Sequence, residues 1–234
     1  MNFWLSLHRT IFAMVYGLCG AQGIASPAAL CEEAAQFASH QTGVPLSILR
    51  AVTLAETGNT QASGGGFDAW PWAVMADLKG HWFPDQYTAI AFAEEQITQG
   101  KSNVDIGCFQ LNIRWHATAF QSVSDMLSPQ NNALYAANFL QDLYIKTGDW
   151  RAAVGRYHSR DGARAEAYVR RLETIFDRHL GTMAPSFDAP AMVAFADPER
   201  AKHRQVYERF GLVSARGPLL QTPSRARPLI GDVP

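Results

Sequence analysis

A carboxylate, an amide and a phenol, well separated along the chain, are the groups whose surroundings invite chemistry. Glu56 closes the run Arg50-Ala51-Val52-Thr53-Leu54-Ala55-Glu56-Thr57-Gly58. Leu49, Val52, Thr53 and Glu56 recur at helical spacing, which places the carboxyl in line with an apolar face at the C-terminal end of a helix. Unpaired carbonyls make that end partly negative, and apolar neighbours penalise charge, so both effects favour the protonated form. A carboxyl that keeps its proton at neutral pH can serve as general acid for a glycosidic bond. Gln110 lies within Asp105-Ile106-Gly107-Cys108-Phe109-Gln110-Leu111-Asn112, where Gly107 permits close backbone approach and the amide can bond a substrate hydroxyl or acetamido group. Tyr157, within Gly155-Arg156-Tyr157-His158-Ser159, offers a phenol on a helix. Taken singly, each has a plain structural reading: a solvated Glu, a turn Gly, a surface amide, a core Tyr.

The elements that must position these groups are mostly helical. Ser26-Pro27 is a cap followed by proline, and starts a helix that runs to about residue 41 and stops at Gly43. Pro45 opens the helix that carries Glu56. Residues 61–66 are small and Gly-rich, and read as a mobile loop. Aromatic and β-branched residues on either side of Asp77-Leu78-Lys79-Gly80 predict a small hairpin between Trp70 and Phe83, or an ordered loop in its place. Asp85 caps a helix to about residue 98, and residues 105–112 read as a short helix or turn. Ser128-Pro129 repeats the cap-proline start, with Leu134, Ala137, Leu140, Leu143 and Tyr144 at helical spacing up to Gly148. Asp149 caps the helix of Trp150, Val154 and Tyr157. A last helix over 164–180 points Tyr168, Leu172, Ile175, Phe176 and Leu180 inward, and Gly181 stops it. The fold class is mainly α, with one small hairpin.

With 234 residues the chain holds one domain with a full core plus a tail, and its net charge of −1 gives no general attraction to nucleic acid. Arg9, the apolar run 11–18 and the small residues through Gly23-Ile24-Ala25-Ser26 match a secretory signal peptide over 1–25, cleaved near Ala25. An uncleaved anchor on the periplasmic side of the inner membrane is the alternative. Cys19 and Cys31 each follow a Leu, a poor context for lipid attachment. Cleavage leaves Cys31 and Cys108, and an even pair in an exported protein points to a disulfide, with two buried thiols as the alternative. Five of the six Trp residues lie between Trp70 and Trp150, where they could line a groove for a sugar polymer or simply fill a core. The domain spans 26–181. Seven of the twelve prolines lie after Gly181, so 182–234 reads as a largely disordered tail; Asp197-Pro198-Glu199 would start one short helix there over 197–210.

Together and in this order, the three segments resemble the lytic transglycosylases with a soluble-lytic-transglycosylase domain, which have a goose-type lysozyme-like fold. The family's Glu-Ser-Gly stands here as Glu56-Thr57-Gly58, its Gly-Leu-Met-Gln-Ile as Gly107-Cys108-Phe109-Gln110-Leu111, and its Ala-Tyr-Asn-Ala-Gly as Arg156-Tyr157-His158-Ser159-Arg160. The helix from Ser128-Pro129-Gln130-Asn131-Asn132 through Leu143 is also similar. Trp70-Pro71-Trp72 and the Cys of the second motif look like a branch of periplasmic members that serve secretion, conjugation or flagellar machines. The third motif departs most. His158 replaces an asparagine, where an imidazole either titrates near neutral pH or lies outside the cleft, and Arg160 replaces a glycine.

The resemblance implies non-hydrolytic cleavage of the β-1,4 bond between N-acetylmuramic acid and N-acetylglucosamine in peptidoglycan, leaving a 1,6-anhydro end. Glu56 would act as acid and then base, with Tyr157 bonding and orienting it. Thr57, Gly107, Phe109, Gln110 and Asn112 are the implied substrate-binding positions. No cofactor or metal is required, and the histidines show no ligand spacing. The glycan strand is the implied partner, joined by a flagellar rod or secretion component that the tail could engage. Two alternatives stand beside it: a hydrolysing muramidase with Asp68 or Asp105 as second carboxylate, and a peptidoglycan-binding scaffold that recruits partners through its tail.

Overall fold

The computed structural model describes residues 26–60 and 65–180. The expected signal peptide, the tail with its 197–210 helix, the stop at Gly181 and most of the 61–66 loop lie outside the described residues. The described chain is mainly α-helical, with a small antiparallel sheet.

The first helix forms where its caps lie. Helix α1 covers Pro27–Thr42, with the Ser26 hydroxyl accepting from the Ala29 N–H and Gly43 closing the end at φ 76°. Helix α2 covers Leu46–Thr57, and nine of its twelve residues are buried. Arg50 is one of the others, and its Nε donates to both Glu32 oxygens of α1 at 2.9 Å. So nearly whole-face burial makes α2 the axis of the domain rather than a surface helix with one apolar stripe.

The hairpin forms as strands β1 (Ala73–Ala76) and β2 (Lys79–Trp82). Its turn is tighter than the four residues expected: Asp77 and Leu78 alone reverse the chain, with φ 52° and 65°, as two-residue hairpins require at both central positions. Residues 105–112 are neither a helix nor a lone turn. They supply β3 (Val104–Ile106), a four-residue turn and β4 (Leu111–Asn112). The sheet order is β2-β1-β3-β4, antiparallel throughout, with Val74 opposite Ile106 and Ile106 opposite Leu111. Strands of two or three residues are too short to show an alternating pattern, so the sequence predicts only a short helix or turn there.

Helix α3 (Gln86–Thr98), the single-turn α4 (Ile113–His116) and α5 (Val123–Leu127) follow, then α6 (Pro129–Thr147), α7 (Trp150–His158) and α8 (Gly162–Ile175). A five-residue π-helical turn, Phe176–Leu180, finishes the last helix. Along the inward face expected of it, Tyr168, Leu172, Ile175 and Phe176 are buried, while Leu180 is half-buried. Helix α1 packs along α6, α6 on α7, α7 on α8 and α8 on α2, so the long helices close around the axis.

Cys31 and Cys108 are bonded, joining α1 to the β3–β4 turn across 77 residues of sequence. Both residues are fully buried. Removing the cross-link frees a loop of that length in the unfolded chain, so the double variant Cys31→Ser, Cys108→Ser should lose on the order of 2–4 kcal/mol. Guanidinium unfolding of the oxidised and variant proteins, followed by circular dichroism, measures it as a lower midpoint at unchanged native helix content.

Candidate active site

Glu56 is the penultimate residue of α2 and is 6% exposed. The Tyr168 hydroxyl of α8 donates to its Oε1 at 2.6 Å. Burial pushes the carboxyl up to about 7, against the opposing pulls of the Tyr168 hydrogen bond and the Arg171 charge. Desolvation therefore outweighs both polar contacts, and a large share of the population stays protonated at neutral pH. Because Tyr168 occupies Oε1, the transferable proton is left to Oε2.

The phenol on Glu56 is Tyr168 rather than Tyr157. The Tyr157 hydroxyl donates instead to the Phe109 carbonyl at 2.8 Å. The reason is topological: α8 is the helix packed against α2, whereas α7 delivers Tyr157 to the β3–β4 turn. Tyr157 still feels the nearby carboxylates. Burial first, and then the charge of Glu56, hold its phenol well above the usual tyrosine value. His158 is neither free in solvent nor poised near neutral pH. Its ring stacks on Tyr168 at 4.3 Å and 4° between planes. Burial, reinforced by Arg171 and Arg164, takes its pKa down to about 4. A neutral imidazole thus braces the phenol that holds Glu56.

Most positions expected to touch substrate are bound into the frame. Thr57 is fully buried; its hydroxyl donates to the Thr53 carbonyl at 3.0 Å and accepts from the Trp70 N–H at 3.1 Å. Phe109 is fully buried as well, and its N–H donates to Asn132 Oδ1 at 2.8 Å. The Gln110 amide turns inward and donates to the Ala73 and Gly107 carbonyls at 3.1 and 3.0 Å. These bonds hold Gln110 at φ 47°, a left-handed conformation that costs a non-glycine residue. The Asn112 amide donates to Asn103 and to Asp105 Oδ1, while its oxygen caps α4 at the Arg114 N–H. Gly107 is required for a packing reason. Its φ is 80°, and a Cβ there would lie 2.6 Å from the Asn132 amide nitrogen.

Asn132 was not singled out by sequence, yet it is the brace of this turn. It is fully buried, donates to the Ile106 and Met126 carbonyls at 3.1 and 3.0 Å, and accepts from Phe109. Asp105 is a second buried carboxyl, 3% exposed. Its Oδ1 accepts from Asn112 at 2.9 Å and its Oδ2 has no partner. Burial, with repulsion from Glu56, pushes Asp105 up to about 7 against the Asn112 hydrogen bond. Two carboxyls therefore titrate within each other's field. Asp68 lies on another segment, in an isolated bridge with Asn59.

Tyr168 was visible in sequence only as an inward-facing position of the last helix. It is the polar member of that face, and a buried phenol needs a partner, but nothing in the spacing says that the partner lies 112 residues away. Among the described residues, no group of three or more His, Cys, Asp or Glu is placed to hold a metal ion. A surface groove of about 470 Å³ between the end of α3 and α4–α5, lined by Lys101, Ile113, Arg114 and Phe120, does not include Glu56. The chain matches no known family model, no characterised protein and no solved structure.

The raised carboxyl has a cost in stability whose sign is fixed. Between about pH 4.5 and about 7 the unfolded chain has lost the Glu56 proton and the folded chain keeps it, so stability falls as pH rises through that window. Glu56→Gln removes this penalty and still accepts from Tyr168. Its melting temperature should match wild type near pH 4.5 and exceed it at pH 8, by a margin worth roughly 2–4 kcal/mol. Thermal melts at the two pH values check it. Gly107→Ala should destabilise by at least about 2 kcal/mol, since strain at positive φ and the collision with Asn132 add, and chemical denaturation measures that loss.

Proposed function

We propose that this chain is a peptidoglycan lytic transglycosylase, with the goose-type lysozyme-like arrangement around α2, exported to the periplasm and acting on the glycan strand. The observation that carries the reading is a buried Glu56 whose proton is retained near neutral pH and whose Oε1 is fixed by Tyr168. In the first step the proton on Glu56 passes to the oxygen leaving from the N-acetylglucosamine side as the C1–O bond breaks. In the second, the resulting carboxylate takes the proton from the muramic C6 hydroxyl, whose oxygen attacks C1 and closes the 1,6-anhydro ring. Glu56 ends protonated, so one carboxyl completes the cycle and no water enters. Tyr168 steadies the anion between the two steps and Asn132 fixes the turn beside it. An opening in the cell wall for a flagellar rod or secretion component, met through the tail, is the setting this reading implies.

A second reading, hydrolysis to a reducing end, is favoured by one observation: Asp105 carries an unpartnered buried oxygen in the field of Glu56. A second carboxylate is what a hydrolysing glycosidase uses as nucleophile or base.

Digestion of purified peptidoglycan, with product masses read by mass spectrometry, separates them. The transglycosylase releases 1,6-anhydro-muramyl ends, and the hydrolase releases products heavier by one water. Glu56→Gln should lower turnover by about 10²–10⁴-fold. Because the working form is the protonated acid, wild-type turnover should decline as pH rises through about 7. No cleavage by the wild-type chain would overturn both readings.

A further inference from the structure

Five Trp residues of this chain fall among the described residues, and they divide sharply. Trp70, Trp72 and Trp150 are buried at 8%, 8% and 2% exposure. Trp115 is 38% exposed, but the Arg114 guanidinium stands 4.7 Å from its ring centre and occupies that face. Trp82 is 36% exposed, and its surroundings hold it still rather than cover it. Its indole N–H donates to the Thr57 carbonyl at 3.1 Å, one peptide beyond Glu56. Its six-membered ring lies over Gly80, where a Cβ would come within 2.5 Å of the ring. Residues 80 and 82 share one face of β2, and β2 is an edge strand. The glycine therefore lets the indole lie flat on the strand, and the hydrogen bond pins it to the end of the helix that carries the acid.

We propose that the open surface of Trp82 is a stacking platform for an N-acetylhexosamine ring of a β-linked glycan, in a subsite adjoining Glu56. The proposal rests on the reading of the chain as a glycan-cleaving enzyme. A pyranose presents a patch of C–H groups on one face and hydroxyls around its rim. A flat, immobilised aromatic ring matches the C–H patch and loses little side-chain freedom on binding. The site needs no polar group from Trp82, because its single N–H is already spent on Thr57. Glycan bound here lies on a ring anchored to Thr57, the residue that follows the carboxyl in the chain.

The test is equilibrium binding of the full chain to chitotetraose, a β-1,4-linked N-acetylglucosamine tetramer, followed by tryptophan emission and calorimetry. Glu56→Gln, Trp82→Ala, Trp82→Phe and Trp115→Ala are measured beside wild type. Wild type and Glu56→Gln should bind alike. Trp82→Ala should bind about tenfold more weakly or worse, Trp82→Phe should stay within about threefold of wild type because it keeps a flat face, and Trp115→Ala should leave affinity unchanged. Equal affinity of Trp82→Ala and wild type overturns the platform. So does a loss in Trp82→Phe as large as in Trp82→Ala, which would mean that the N–H anchor alone matters. Absence of tetramer binding by wild type overturns it too. Product analysis keeps the two ideas apart: tetramer held through Trp82 with no peptidoglycan cleavage retires the enzymatic reading alone, and cleavage with affinity indifferent to Trp82 retires the platform alone.

Discussion

The contact on which the architecture depends is the hydrogen bond from Tyr168 to Glu56. It joins the axis of the domain to its last helix through two groups that an apolar core otherwise rejects. A buried carboxyl without a partner is expensive, and a buried phenol is little better. Each removes the other's penalty in part, and the remainder appears as the raised pKa of Glu56. The environment that weakens the fold is thus the one that keeps a proton available. Stability and chemical readiness pull against each other at one atom, as expected where a site is embedded in a core.

Around that contact runs a set of buried and half-buried braces. Asn132 ties α6 to the β3–β4 turn, Tyr157 ties α7 to it, Gln110 ties it to β1, and Cys31 ties it to α1. Thr57 connects the end of α2 to Trp70. Four elements converge on a turn of four residues, and that turn faces the carboxyl-bearing end of α2. Fully satisfied buried networks of this kind fix a single geometry, because any slip leaves several donors unpaired at once. The geometry around Glu56 is set by this frame.

This division explains what the sequence disclosed. Helix boundaries were legible because caps are local: Ser26, Asp85 and Asp149 each accept from the N–H three residues on. Glu56 was legible because its helical phase put it on the buried face. The cysteine pair was legible from compartment chemistry, with thiols left as the alternative. Phe109, Gln110 and Asn112 were legible as a cluster, but the bonds they make were not, since which carbonyl or side chain an amide meets is a tertiary matter. The exchange of Tyr157 for Tyr168 has the same origin. Both sit on helices with suitable periodicity, and only the packing of α8 on α2 decides between them. Strands of two and three residues escaped because their pairing lies with distant partners rather than in their own pattern.

The disulfide has a consequence for where the molecule becomes complete. Its sulfur on Cys108 belongs to the residue next to Phe109, whose carbonyl receives Tyr157. In a reducing compartment the same polypeptide lacks that covalent stitch, and the turn relies on hydrogen bonds alone. Oxidation of the pair adds a covalent tie to the frame around Glu56 that the reduced chain lacks.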